Sequence, residues 1–266
     1  MTKTQLLKKE FLKLKKEIEN LIEDIDTSKN SHLQNYFYFI SYPLFSVTES
    51  VIILCENKKT NSAEVLLRSL IEAHINIIYH QLDDSEYRLA VSAKKGFDTK
   101  IKNTKGLKDF VRRYPNLKSE DPSNLFSDEW LSKAEGWAEV KRKTILRCNN
   151  LQKNDMDLDL RSKAIKCDKK YIDNIEKGHF ERMYHIIYRQ LSPTAHLNIE
   201  GIQSFVDENE KGEYSFSDRG NGEVLSAQAI EVCTAFTKDL YEHGVLKGKI
   251  TSTVSKIESI LKEENK

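Results

Sequence analysis

Residues that break helices or form tight turns are scarce in this chain. Its 266 residues include only 10 glycines and 4 prolines. A β-sandwich or barrel needs a turn signal about every 8–12 residues, whereas long helices need few. The sequence therefore predicts an all-α, multi-helix bundle, with a short loop or small hairpin near residues 208–222.

Apolar residues recur at three- and four-residue steps along most of the chain, which is the period of an α-helix. The N-terminal residues 1–29 are expected to form an amphipathic helix that packs on a single helical domain, residues 30–266. Pro43 is expected to kink or interrupt the second helix, at 31–57. Further helices are predicted at 61–82, 85–113, 124–146, 159–177, 179–191, 223–244 and 250–264, with another from Ser192 to about 206.

Charge and composition limit the class of protein. The net charge is +1, so any attraction to nucleic acid must be local. The 4 cysteines form no Cys-x-x-Cys pair, and no stretch approaches about 18 consecutive apolar residues. Reduced thiols, a cytoplasmic location and no membrane partner are expected. There is no phosphate-binding glycine motif and no zinc-type spacing of ligands, so neither a cofactor nor a metal is expected.

A short segment, residues 188–198, carries the most chemistry. Arg189 falls in the last turn of one predicted helix and His196 in the first turn of the next, with Ser192 as the N-cap and Pro193 at the first helical position. A helix N-terminus favours a neutral imidazole, which suits a general base, and a guanidinium suits a phosphate. These two groups suffice for metal-independent RNA cleavage. The alternative is that His196 is an inert, hydrogen-bonded residue at a helix start.

A polar seam runs along the most apolar predicted helix. Glu64, Arg68, Glu72 and Asn76 follow each other at four-residue steps. Charges on a mostly buried helix must be paired, and Arg68 can bridge both glutamates within its own helix. The seam is interpreted either as an internal salt-bridge network or as the border of a cleft in which Arg68 and Glu72 support an active site.

Cations and aromatic side chains alternate in a third region. Lysines and arginines between residues 94 and 113 are interleaved with Phe97, Phe110 and Tyr114, a pattern that suits phosphates and bases. An alternative is a solvated helix face balanced by the acidic segment at 119–129. The residues predicted to contact nucleic acid are Arg112, Arg113, Lys141 and Arg142.

Two resemblances follow from these motifs. Arg68 with Glu72, and Ser192 with His196, resemble the Arg-x-x-x-Glu helix and Ser-x-x-x-His junction of the bacterial helical family 5677 of unknown function, over roughly residues 30–205. The Arg189-x6-His196 spacing is also similar to the motif of HEPN domains, many of which are metal-independent ribonucleases in defence or toxin systems.

The HEPN likeness implies catalytic roles for Arg189 and His196, RNA as substrate, a homodimer, and an antitoxin or defence-system partner. The leading hypothesis is thus a HEPN-like endoribonuclease. A non-catalytic helical module that binds RNA or a partner protein is the alternative, and a structural or small-ligand-binding bundle is the third.

Overall fold

The computed structural model describes residues 2–23, 25–170, 178–189, 206–208, 214–216, 221–247 and 251–263. Two residues of the predicted catalytic junction, Ser192 and His196, lie outside these ranges. Within them the regular structure is helical apart from two three-residue strands, which confirms the all-α prediction.

The helices follow in chain order, and α7 continues directly into a π-helical segment, Met183–Tyr188. They are α1 (Lys3–Glu23), α2 (His32–Glu56), α3 (Thr60–Gln81), α4 (Ser85–Arg113), α5 (Asp128–Cys148), α6 (Leu160–Lys170), α7 (His179–Arg182), α8 (Gly222–Glu242) and α9 (Ser252–Lys262), with short 3-10 turns at Thr27–Lys29 and Pro115–Leu117. The strands β1 (Val206–Glu208) and β2 (Tyr214–Phe216) pair antiparallel, so a small hairpin lies close to where the sequence predicts one.

The chain divides into two compact units. The first comprises Met1–Leu82 and Asp159–Lys266, and the second comprises Asp83–Leu158. In the first unit α2, α3 and α8 pack together around aromatic side chains, and α1 packs on α9. Phe37 meets Phe236 edge to face at 5.9 Å, and both rings are fully buried. Burying side chains of this size stabilises a fold by about 1.5–3 kcal/mol each.

Helix α2 continues through Pro43, so the predicted interruption there is wrong. A capping box between Ser31 and Gln34 starts the helix, and buried side chains such as Phe37 and Val51 anchor it on both sides of the proline. Packing thus offsets the lost hydrogen bond. By length and composition alone α2 could also cross a membrane, a test that the core helix of a soluble protein passes as well.

The second unit is built on a hairpin of two long helices, α4 and α5. Phe97 of α4 packs edge to face on Trp137 of α5 at 5.4 Å, and the ammonium of Lys108 lies 2.5 Å from the Glu135 carboxylate. Ala90 and Val91 form a small apolar cluster with Leu151 at one end of this hairpin.

Candidate functional site

The segment that ends at Arg189 is fixed at its start by α6. The carboxylate of Asp168 accepts hydrogen bonds from the backbone N–H groups of Phe180 and Glu181, at 2.9 and 2.8 Å. These are N–H groups that a helix start leaves without intrahelical partners, so Asp168 caps the segment from a neighbouring helix. Phe180 is buried and its ring stacks on His74 of α3 at 5.8 Å. The segment therefore has a defined position against α3 and α6.

The same segment widens into a π-helix before it reaches Arg189. The N–H of Arg189 bonds to the carbonyl of Tyr184, five residues earlier, at 2.9 Å. π-helical turns are rare and often occur at functional sites. Tyr184 and Tyr188 stack with their ring centres 5.5 Å apart and their planes 18° apart. Arg189 follows them as an exposed residue.

Arg68 joins the polar seam of α3 to this segment. Its Nη2 donates a hydrogen bond to the hydroxyl of Tyr188 at 2.9 Å, and its Cζ lies 4.6 Å from the centre of that ring. The expected bridge to Glu64 and Glu72 is therefore wrong within the described residues, because Tyr188 offers Arg68 both an acceptor and a ring face. Glu72 is exposed. A phenol neutralises no charge, so Arg68 keeps its positive charge here.

The other end of the seam meets α6. The ammonium of Lys163, which is 4% exposed, donates to the Asn76 side-chain oxygen at 2.8 Å and lies 5.1 Å from the Tyr79 ring centre. The Asn76 side-chain nitrogen donates to the carbonyl of Glu72 at 2.9 Å. The polar seam of α3 therefore contacts two neighbouring elements: the π-helical segment through Arg68, and α6 through Asn76.

A family model covers these elements. The model of a family of unknown function, DUF5677, matches residues 42–214, well over half of the chain. The chain belongs to this family. A comparison with curated proteins and one with solved structures found no match. The family resemblance inferred from the α3 helix and the Ser192–His196 junction is thereby confirmed.

The DUF5677 match includes residues that sequence reasoning singled out and others that it missed. Arg68, Glu72, Arg189, Ser192 and His196 all lie within the matched range. Of these, Arg68 contacts the residue that precedes Arg189, while the pairing of Arg189 with His196 lies outside the described residues and stays a prediction.

Three further residues of this DUF5677 site were missed: Tyr188, Asp168 and Lys163. The four-residue spacing of Tyr184 and Tyr188 was the signal available for the tyrosine pair. No comparable pattern pointed to Asp168 or Lys163, whose partners are distant in the chain.

The predicted nucleic-acid surface of this DUF5677 protein lies in the second unit, and half of it is paired internally. Arg112 pairs with Asp109 at 3.0 Å, and Arg142 pairs with Asp98 at 2.5 Å. Arg113 and Lys141 are exposed. Glu135 forms ion pairs with both Lys105 and Lys108. Among the described residues, the acidic segment at 119–129 forms ion pairs only through its last two residues, in the pairs Lys118–Asp128 and Lys133–Glu129.

Proposed function

We propose that this protein is a HEPN-like, metal-independent endoribonuclease whose catalytic residues are Arg189 and His196. The observation that supports the proposal most is the contact between Arg68 and Tyr188. It holds a guanidinium, which has no carboxylate partner among the described residues, against the residue that precedes the exposed Arg189. Two arginines of one site then attract an anion, and the forked guanidinium matches phosphate oxygens.

The aromatic side chains beside these arginines extend the proposed site to a nucleobase. Tyr184 and Tyr188 are stacked on each other and are partly exposed. Bases stack on such rings with little sequence preference, at about 1–3 kcal/mol per base. A site that combines arginines with stacked tyrosines suits a single-stranded nucleic acid better than an isolated phosphate.

His196 supplies the base in this proposal. It removes the proton from a ribose 2′-hydroxyl, and the oxygen attacks the adjacent phosphorus while the bond to the 5′-oxygen breaks. The leaving oxygen takes up a proton, and the products carry a 2′,3′-cyclic phosphate and a 5′-hydroxyl. Arg189 stabilises the additional negative charge of the pentacovalent transition state. In the same proposal Ser192 is a supporting residue for His196, and Arg68 supports the site through Tyr188.

The biological setting that we propose follows the same likeness. A homodimer, and an antitoxin or another defence-system component as regulator, would suit a cytoplasmic ribonuclease that must be restrained. Co-expression with neighbouring genes tests this setting, because a cognate antitoxin would relieve the toxicity of the wild-type protein and would not be needed for His196→Ala.

The decisive experiment measures cleavage of a labelled single-stranded RNA in EDTA. We expect the wild type to cleave, and His196→Ala and Arg189→Ala to be slower by about 100-fold or more, as for the loss of other groups that act in the transition state. His32→Ala is the matched histidine control and should match the wild type. Unchanged thermal unfolding of the variants separates catalysis from folding. Cleavage that requires a divalent ion, or that survives in His196→Ala, contradicts the proposal.

A second function, RNA or partner binding without catalysis, is favoured by one observation. Arg113 and Lys141 are exposed and have no ion-pair partner among the described residues. For this function, His196→Ala changes nothing, whereas neutralising Arg113 and Lys141 weakens RNA binding and lowers its salt dependence.

A further inference from the structure

A cavity of about 490 Å³ lies in the first unit between α3, the α7–π segment and α8. Its walls are mostly apolar, and the π-helical segment contributes Met183, Ile186 and Ile187 to them. The stacked tyrosines of the same segment, Tyr184 and Tyr188, are absent from its lining. The cavity is therefore distinct from the proposed ribonuclease site, and its volume is typical of pockets that hold small organic molecules.

One buried polar side chain, His74, belongs to the lining. It is 7% exposed, and its Nδ1 is fully buried without a hydrogen-bond partner among the described residues. Burial, together with the neighbouring His179, lowers the pKa of His74 to about 4. The ring is thus neutral near pH 7 and offers one donor and one acceptor. A polar group left unpaired in such a place is costly, so a molecule that pairs with it gains affinity.

The charged residues of the lining do not select an ion. Arg182 and Glu231 are both exposed and carry opposite charges. The third polar residue, Gln228, is neutral. The remaining walls include side chains such as Ile71 and Val232, which bind apolar surface. The lining as a whole therefore favours an uncharged molecule with a large apolar part.

We propose that this cavity binds a neutral, mainly apolar small molecule whose single hydroxyl or ring N–H group hydrogen-bonds to His74. The size of the cavity, its apolar walls, its balanced charges and the unpaired Nδ1 of His74 support that class of ligand. The proposal is independent of the ribonuclease proposal, since its site and its measurement are different.

Calorimetric titration of the full chain with 2-naphthol tests the proposal. We expect 1:1 binding to the wild type, and binding about tenfold weaker to His74→Phe, which keeps an aromatic ring and removes both nitrogens. Ala235→Phe should abolish binding, because Ala235 lines the cavity and a phenyl group there would occupy space that the ligand needs. Ala227→Phe is the matched control, because Ala227 lies on the same helix and lines a different groove. It should bind like the wild type.

Thermal unfolding of each variant shows whether it folds, and sedimentation at the titration concentrations reports association. The proposal is overturned if the wild type does not bind 2-naphthol, or if Ala235→Phe binds as tightly as Ala227→Phe. It is also overturned if Ala235→Phe dissociates a wild-type dimer, because the cavity then belongs to an interface between two copies. Equal affinity of His74→Phe and the wild type would refute the role of the imidazole.

Discussion

Both units pair cations with carboxylates, but the first unit also holds one arginine, Arg68, on an aromatic ring. In the second unit, cations of α4 and α5 meet carboxylates, as in the pairs Lys108–Glu135 and Arg142–Asp98. In the first unit, Arg68 rests on the phenol of Tyr188, and the carboxyl of Asp239 is buried in α8. A surface cation paired with a carboxylate has little net charge left for a ligand, whereas Arg68 keeps its charge. Arg68 is therefore a better candidate for binding an anion than the paired cations of either unit.

Two carboxyl groups, Asp239 of the first unit and Glu135 of the second, have pKa values shifted in opposite directions. Burial raises the pKa of Asp239 to about 7, although the neighbouring Gln81 side chain lowers it in part. The carboxyl of Glu135 in the second unit shows the opposite shift, because the hydrogen bond from Lys108 lowers its pKa.

We expect Asp239 to make the protein less stable as the pH rises from about 4 to about 7. The unfolded chain releases this proton near pH 4, while the folded chain keeps it until about pH 7, so the free energy of unfolding falls across that window. Asp239→Asn should remove this loss and raise the free energy of unfolding at pH 8 by about 2 kcal/mol, with the difference vanishing below pH 4. Urea unfolding at several pH values measures it.

Glu135→Gln is the matched control in the second unit, with the opposite sign. The folded-state pKa of Glu135 is lowered, so its contribution to stability is present above the unfolded pKa and is lost as the pH falls through the folded one. Glu135→Gln should therefore lower the free energy of unfolding at neutral pH, and the difference should shrink in acid. If the free energies of unfolding of the two variants change with pH in the same direction, the contrast between Asp239 and Glu135 is wrong.

Local patterns were enough to predict the helices, but not what their side chains meet. The predicted helix at 85–113 coincides with α4, because its apolar period and its polar flanks are local properties. Pro43 was assigned too strong a local effect, since the buried residues of α2 on both sides of it hold the helix together. Periodicity thus identifies a helix, but tertiary packing decides whether that helix tolerates a proline.

The candidate site depended more on contacts between distant residues. Arg68 and Tyr188 are 120 residues apart, so the spacing within α3 suggested the nearby glutamates as partners instead. His74 belongs to no motif in the sequence, and only the arrangement of three helical elements shows that it lines a cavity. The polar seam itself could be predicted from the sequence, because it depends only on the four-residue spacing of its members.

The next smaller effect concerns the stability that Arg68 provides. Arg68→Ala removes a hydrogen bond and a cation–π contact from a half-buried place, so we expect the free energy of unfolding to fall by about 1–2 kcal/mol. Tyr188→Phe keeps the ring and loses only the hydroxyl, and it should cost about half as much. Arg112→Ala in the second unit is the control. Its side chain is 77% exposed, and the change should stay within about 0.5 kcal/mol. If Arg68→Ala and Arg112→Ala lower the free energy of unfolding equally, Arg68 on its aromatic ring is no different from an exposed, ion-paired arginine.

The smallest expected effect tests whether the second unit contributes to RNA binding. We expect the double variant Arg113→Ala with Lys141→Ala to weaken binding of a single-stranded RNA by less than about threefold, because exposed single charges are screened by salt. Fluorescence anisotropy at 50 and 200 mM salt measures the affinity and its slope. The comparison variant is Arg189→Ala, in which binding should fall further at both salt concentrations, because this residue is proposed to hold a phosphate beside Arg68. If the double variant loses more affinity and more salt dependence than Arg189→Ala, the RNA surface lies on the second unit, and the non-catalytic binding function replaces the ribonuclease.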